Sequence, residues 1–245
     1  VIGLPDSIKA LLFDLDGVLT GTAELHKQAW KRTFDTFLAG REGQLPFTEQ
    51  DYLDYVDGRP RADGVRTFLA SRGIQLPEGG PDDPPSAETI NGVGNRKNEL
   101  LLSIIQNEGV RPYPGSRRYV EAARDAGLKI GVVTSSANGA AVLEAADLSR
   151  FVEARVDGVT IVSQGLRGKP APDSFLAGAK ALGVLPAEAA VFEDALSGVQ
   201  AGRDGKFGFV VGVDRANQAD ALRAHGADIV VTDLAQLLEA RDGQA

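Results

Sequence analysis

Short apolar runs punctuate the chain at 9–15 (KALLFDL), 128–134 (LKIGVVT), 189–193 (AAVFE), 207–213 (FGFVVGV) and 228–231 (DIVV). Each is rich in β-formers and apolar at consecutive positions, not alternating ones. That is how a strand buried on both faces of a parallel sheet reads. Stretches with helical character separate these runs, at 116–126, 138–146, 172–183, 195–204 and 216–226. Strand alternating with helix predicts βαβ units and a doubly wound, parallel α/β sheet.

The segment 22–108 breaks that rhythm and offers no convincing strand. Residues 23–39 place Ala29, Trp30, Phe34, Phe37 and Leu38 along a helical stripe. Further helical patterns fall at 48–55, 61–72 and 87–107, with a Pro/Gly-rich loop, PEGGPDDPP, at 77–85. The expectation is a helical domain, 22–108, inserted directly after the first strand of a core made of 1–21 and 109–245. Its exits, Gly21-Thr22 and VRPYPG at 110–115, are short enough to act as a hinge.

A length of 245 residues fits one large or two unequal domains. Apolar residues make up 43% and charged residues 24%, so a sizeable core is available and general disorder is excluded. The chain holds no cysteine and only two histidines, His26 and His225. Disulfide scaffolds, thiol nucleophiles, Cys-bound zinc and H-E-x-x-H sites are therefore excluded. A net charge of −8 argues against nucleic acid as the partner. No run is apolar enough to span a membrane, and the start lacks signal-peptide architecture. The absence of any methionine suggests a trimmed or processed chain, and a cytoplasmic location is expected.

The string Phe13-Asp14-Leu15-Asp16-Gly17 places two carboxylates on one side of an extended chain. They stand at the C-terminal end of the first strand, where open α/β sheets bind ligands. Adjacent carboxylates persist together if a cation neutralises them or one stays protonated, though a D-x-D-G turn can also merely end a strand. Glu193-Asp194 ends the fourth predicted strand. Two acidic pairs at one sheet edge make an oxygen site suited to magnesium. Thr134-Ser135-Ser136 closes the strand at 128–134, either as a phosphate cradle or as a plain helix cap. Lys169 lies in GKPAPD, a loop before a helix.

In this order, D-x-D-G-V at 14–18, T-S-S at 134–136, K-P-A-P at 169–172 and E-D at 193–194 resemble the haloacid dehalogenase superfamily. The resemblance covers essentially the whole chain. It implies a Rossmann-like core with a helical cap inserted after the first strand. It implies that Asp14 is a nucleophile that becomes an aspartyl phosphate and that Asp16 is the general acid/base. Thr134 and Lys169 would hold the transferring phosphoryl oxygens. One Mg²⁺ would be held by Asp14, the carbonyl of Asp16 and Asp194, with Glu193 ligating or behind them.

Within that superfamily, FDLDGVLTGTAELHKQAW at 13–30 resembles the β-phosphoglucomutase-like subfamily. Gly58-Arg59-Pro60-Arg61 is similar to its cap loop and Arg96-Lys97-Asn98 to its R-K-N stretch. The subfamily pattern implies substrate contacts from His26, Trp30, Gly58, Arg61, Lys97, Ser135, Ser136 and Asn138, with Arg61, Ser136 and Asn138 on the phosphate not being transferred. The implied reaction interconverts β-D-glucose 1-phosphate and glucose 6-phosphate through β-glucose 1,6-bisphosphate. The alternative is a phosphatase acting on a small sugar or polyol phosphate. The expected partner is a small phosphorylated sugar, with no nucleic acid and no membrane, and the chain is expected to be a monomer. Three positions depart from the pattern: Gly21 for an aspartate, Ala137 for a lysine beside Asn138, and Ala195 for a hydroxyl residue. His26 could equally be structural, and Trp30 reads as cap core rather than as a platform for a sugar. Arg59 and His225 are expected to be solvated.

Overall fold

A computed structural model of the chain describes residues 2–239. Six parallel strands, β1 (Ala10–Phe13), β2 (Lys129–Val133), β3 (Ala154–Val156), β4 (Ala189–Glu193), β5 (Phe209–Val213) and β6 (Ile229–Val231), form one sheet in the order β3-β2-β1-β4-β5-β6. The chain winds outward from β1 to β3, returns to the middle, and winds the other way from β4 to β6. The crevice at the C-terminal ends of β1 and β4 is therefore the topological switch point.

The consecutive apolar runs are explained by burial on both faces. Leu11 and Phe13 of β1 enter one cluster, while Ala10 and Leu12 enter the opposite one. Helices α5 (Pro114–Asp125) and α6 (Gly139–Ala145) supply Tyr119, Val120, Val142 and Leu143 to the first cluster. Helices α7 (Gly158–Ser163), α8 (Asp173–Ala181), α9 (Leu196–Asp204) and α10 (Ala219–His225) supply Ile161, Phe175, Val199 and Leu222 to the second. Gly178 lets α8 lie close to the sheet, because a Cβ there would come within 2.9 Å of Val133 and 3.0 Å of Leu12. A last short helix, α11 (Gln236–Glu239), adds Leu237 to the first cluster.

Residues 22–108 contain no strand. They form α1 (Thr22–Ala39), α2 (Glu49–Asp51) running into a π-helical turn (Tyr52–Val56), α3 (Arg61–Ser71) and α4 (Ile90–Glu108). Trp30, Phe34, Phe37, Phe47, Val65, Phe68 and Val93 form an apolar cluster of their own. Phe34 sits at its centre, 4.2 Å from the Phe68 ring and 5.1 Å from the Trp30 ring. Thr48 closes a capping box with Asp51, and Thr89 caps α4 by accepting from the Gly92 amide. The two connections to the core run side by side: Gly21 N–H donates to Arg111 and Tyr113 N–H to Leu19.

Four elements differ from the sequence reading. The helix expected at 48–55 is a single α turn continued as a π turn. Strand β3 and helices α7 and α11 were not expected. Residues 154–156 hold an exposed arginine between two apolar neighbours, too little for a buried-strand pattern.

Candidate active site

The switch point gathers acidic and basic groups from five loops. Asp14 follows β1 directly, and its amide donates to the Phe192 carbonyl, which places it level with the end of β4. Phe13 and Phe192 stack beneath it at 4.4 Å, giving the carboxylate an apolar floor. One carboxylate oxygen from each of Asp14, Glu193 and Asp194 lies within 4.8 Å of the others, and all three residues are buried. Burial pushes Asp14 above the usual carboxylate range, and Asp16 adds to this. Burial, Asp57, Asp14 and Glu193 push Asp194 well up.

Lys169, 1% exposed, offsets part of this charge. Its Nζ lies 2.9 Å from Asp14, 2.5 Å from Glu193 and 3.1 Å from the Val133 carbonyl. Burial would depress the ammonium, but Asp14 and Glu193 more than reverse that. For Glu193, burial and Asp14 push upward while Lys169 and the Ala195 amide pull downward. With an ammonium so close, we take this pair as ionic. The Lys169-Pro170 peptide is cis.

Asp16 has the opposite environment. Burial alone would raise it, but His26, Thr22 and Lys97 hold it well below the usual range. Thr22 donates to its Oδ1, and His26 Nε2 lies 3.2 Å from that oxygen. Lys97 Nζ is 2.7 Å from His26 Nδ1. When Lys97 is protonated its ammonium donates to Nδ1, and the ring proton then sits on Nε2, facing Asp16. Lys97 also lies 4.8 Å over the Trp30 ring. Burial and Arg61 bring its amine down to about 7, against the pull of Asp16.

Asp14, Asp16, His26, Trp30, Gly58, Arg61, Lys97, Thr134, Ser135, Ser136, Asn138 and Asp194, all expected at the site, line one cleft. Lys169 and Glu193 lie behind its wall. The cleft also holds Arg61 and Lys97, and neither pairs with a carboxylate within 4 Å of it among the described residues; Lys97 stands one imidazole ring away from Asp16. Ser135 is turned differently from the expectation: its hydroxyl donates to the Gly58 carbonyl at 2.8 Å. Asn138 Nδ2 donates to Asn98 at 3.0 Å. Arg59 was expected to be solvated but lines the cleft. His225 is half-buried at the end of α10, away from the cleft.

Sequence reasoning missed Asp57 and Tyr52, which also line the cleft. Both belong to the turn before the Gly58 loop, and no motif marks them. It also missed Arg215, whose Nε donates to the Gly17 carbonyl at 2.9 Å while its guanidinium lies 3.7 Å over Tyr113. This fixes the D-x-D-G turn from the loop that follows β5.

The profile of haloacid dehalogenase-like hydrolases matches residues 8–206. The chain belongs to the haloacid dehalogenase-like hydrolase family. Within that family it is 57% identical to β-phosphoglucomutase of Mycobacterium bovis, over 97% of this chain and 94% of the relative. It is 30% identical to β-phosphoglucomutase of Bacillus subtilis, over 94% and 92% of the two chains. Among solved structures it is similar to β-phosphoglucomutase from Clostridium difficile, with a TM-score of 0.75 at 26% identity over 96% of each chain. Membership of this haloacid dehalogenase branch implies a divalent metal, and the buried, oxygen-only cluster of Asp14, Glu193 and Asp194 suits one.

Proposed function

We propose that this protein is a β-phosphoglucomutase that interconverts β-D-glucose 1-phosphate and glucose 6-phosphate through β-glucose 1,6-bisphosphate. The observation that carries this is that one cleft holds both the Asp14–Asp16 pair and two cations, Arg61 and Lys97, that no carboxylate within 4 Å neutralises among the described residues. A bisphosphate that must be bound in two opposite orientations needs a pair of unlike phosphate sites.

In this reading residues 22–108 are a cap domain over a core of 1–21 and 109–245. Asp14 attacks the phosphorus of the bisphosphate. The bond from phosphorus to the sugar oxygen breaks, and Asp16, which took a proton from a sugar hydroxyl when the bisphosphate formed, delivers it to that oxygen. In the return step the other sugar hydroxyl attacks, its proton passes to Asp16, and Asp14 is released. His26 and Thr22 keep Asp16 ionised until it accepts a proton. Thr134 and Lys169 hold the phosphoryl oxygens. Arg61, Ser136 and Asn138, with Lys97, hold the idle phosphate, where the planar guanidinium offers a bidentate fork. Trp30, expected to contact substrate, is instead buried in the aromatic cluster against Phe34 and under Lys97, so it positions that amine, and Gly58 lets the cap loop approach.

Asp14, the Asp16 carbonyl and Asp194 would hold one Mg²⁺. Both oxygens of Glu193 already accept hydrogen bonds, so it would help from behind. Bound there, the ion would neutralise the charge that gathers on the transferring group. Each group named comes from one chain, so a monomer suffices.

The test is a coupled assay. β-Glucose 1-phosphate with catalytic bisphosphate should reduce the nicotinamide cofactor of glucose 6-phosphate dehydrogenase. Release of inorganic phosphate without glucose 6-phosphate would make the protein a sugar phosphatase instead.

A further inference from the structure

Two serine hydroxyls of the core reach two successive carbonyls of the cap. Ser135 Oγ donates to Gly58 at 2.8 Å, and Ser197 Oγ donates to Asp57 at 2.9 Å. Neither hydroxyl has a part in the chemistry above. Each stands beside residues that do: Ser135 follows Thr134, and Ser197 lies on the first turn of α9, just past Asp194. The cap loop is shaped to receive them. Gly58 has φ +71°, and a Cβ there would stand 2.6 Å from Ser197 Oγ and 2.8 Å from the Ala195 methyl. Gly168, just before Lys169, has no room for a Cβ either, since it would come 2.1 Å from Pro60 Cγ of the same loop. Loop 57–60 is thus pinned by hydrogen bonds at two points and packed at a third, all beside the loops that carry Thr134, Lys169 and Asp194.

We propose that Ser135 and Ser197 form a clasp that holds the cap loop shut over Asp14, and that this clasp governs how often water reaches the phosphorylated enzyme. The inference rests on the phosphotransfer reading above. In the wasteful branch a water oxygen bonds to phosphorus while the bond from phosphorus to the Asp14 oxygen breaks. Asp16 takes the water proton, and inorganic phosphate leaves. Between formation of the phosphoenzyme and attack by the next sugar hydroxyl, the closed loop keeps that water out. The serines act through the loop, so they are positioning residues.

The experiment measures the lifetime of radiolabelled phosphoenzyme, charged from labelled acetyl phosphate with Mg²⁺ present, in Ser135→Ala, Ser197→Ala and the double variant. One hydrogen bond corresponds to about five-fold in the closing equilibrium. Label should therefore be lost about five-fold faster in each single variant and about 25-fold faster in the double. Amide hydrogen exchange over residues 57–61 should quicken in parallel, which loss of a substrate contact would not produce. Ser197→Thr keeps the hydroxyl and should restore the lifetime. The single variants decide the matter if the double does not fold. Unchanged lifetimes in both singles overturn the clasp, as does faster loss with unchanged exchange. If the wild type makes no glucose 6-phosphate yet the lifetimes still shorten, the sugar assignment falls and the clasp stands.

Discussion

Two carboxylates two residues apart have opposite surroundings. Asp14 lies against Lys169 on an apolar floor, whereas Asp16 is ringed by Thr22, His26 and Lys97. That contrast suits a nucleophile and a proton carrier. Asp14→Asn should leave no acid-stable label on the enzyme from a radioactive phosphoryl donor, while circular dichroism stays unchanged. Lys97 gives a pH prediction. Its amine is brought down to about 7, chiefly by burial. As pH rises through that value the positive charge that Lys97 brings to the cleft is lost. The affinity for a sugar phosphate, measured by calorimetry from pH 6 to 9, should fall across that range in the wild type. Lys97→Met should bind more weakly at pH 6 and lack that fall.

At the scale of elements, the cap is held by its own aromatic cluster, separate from both core clusters. Phe34 is fully buried at its centre. Phe34→Ala should cost about 3–5 kcal/mol in urea unfolding, as expected for a large cavity. The loop between the π turn and α3 obeys a different constraint. Gly58 adopts a left-handed conformation and abuts Ser197 and Ala195. Gly58→Ala should raise KM for the sugar phosphate more than tenfold while lowering the melting temperature by only a few degrees, since the left-handed backbone costs an alanine about 1 kcal/mol and the Ser197 and Ala195 contacts displace the loop. A large fall in melting temperature would show instead that the residue serves folding.

At the scale of the whole molecule, the site gathers more negative charge than Lys169 offsets. Magnesium should therefore raise the melting temperature, and Asp194→Asn should abolish that shift. Asp57 adds a pH effect. Burial lifts its carboxyl from 3.8 to about 6. Between those values the folded chain keeps a proton that the unfolded chain has lost. Stability from this group is thus present below 3.8 and gone above about 6. Asp57→Asn should raise the melting temperature of the metal-free protein at pH 8 relative to the wild type, with the gain shrinking toward pH 4.

The sequence by itself determined the parallel core, because strands buried on both faces must be apolar at consecutive positions, as ALLF of β1 is. It marked Asp14, Asp16, Thr134, Lys169, Glu193 and Asp194, because the chemistry of a sheet edge sits at fixed offsets from strand ends. It did not mark β3, whose short edge run carries too little apolar signal, nor the π turn, which shares the periodicity of a helix closely enough to pass for one. Only the tertiary structure decided what Asp57, Tyr52, Ser197 and Arg215 do. Their partners lie far away along the chain, as Ser197 is from Asp57 and Arg215 from Gly17. Local periodicity cannot encode such pairings; packing the cap against the sheet creates them.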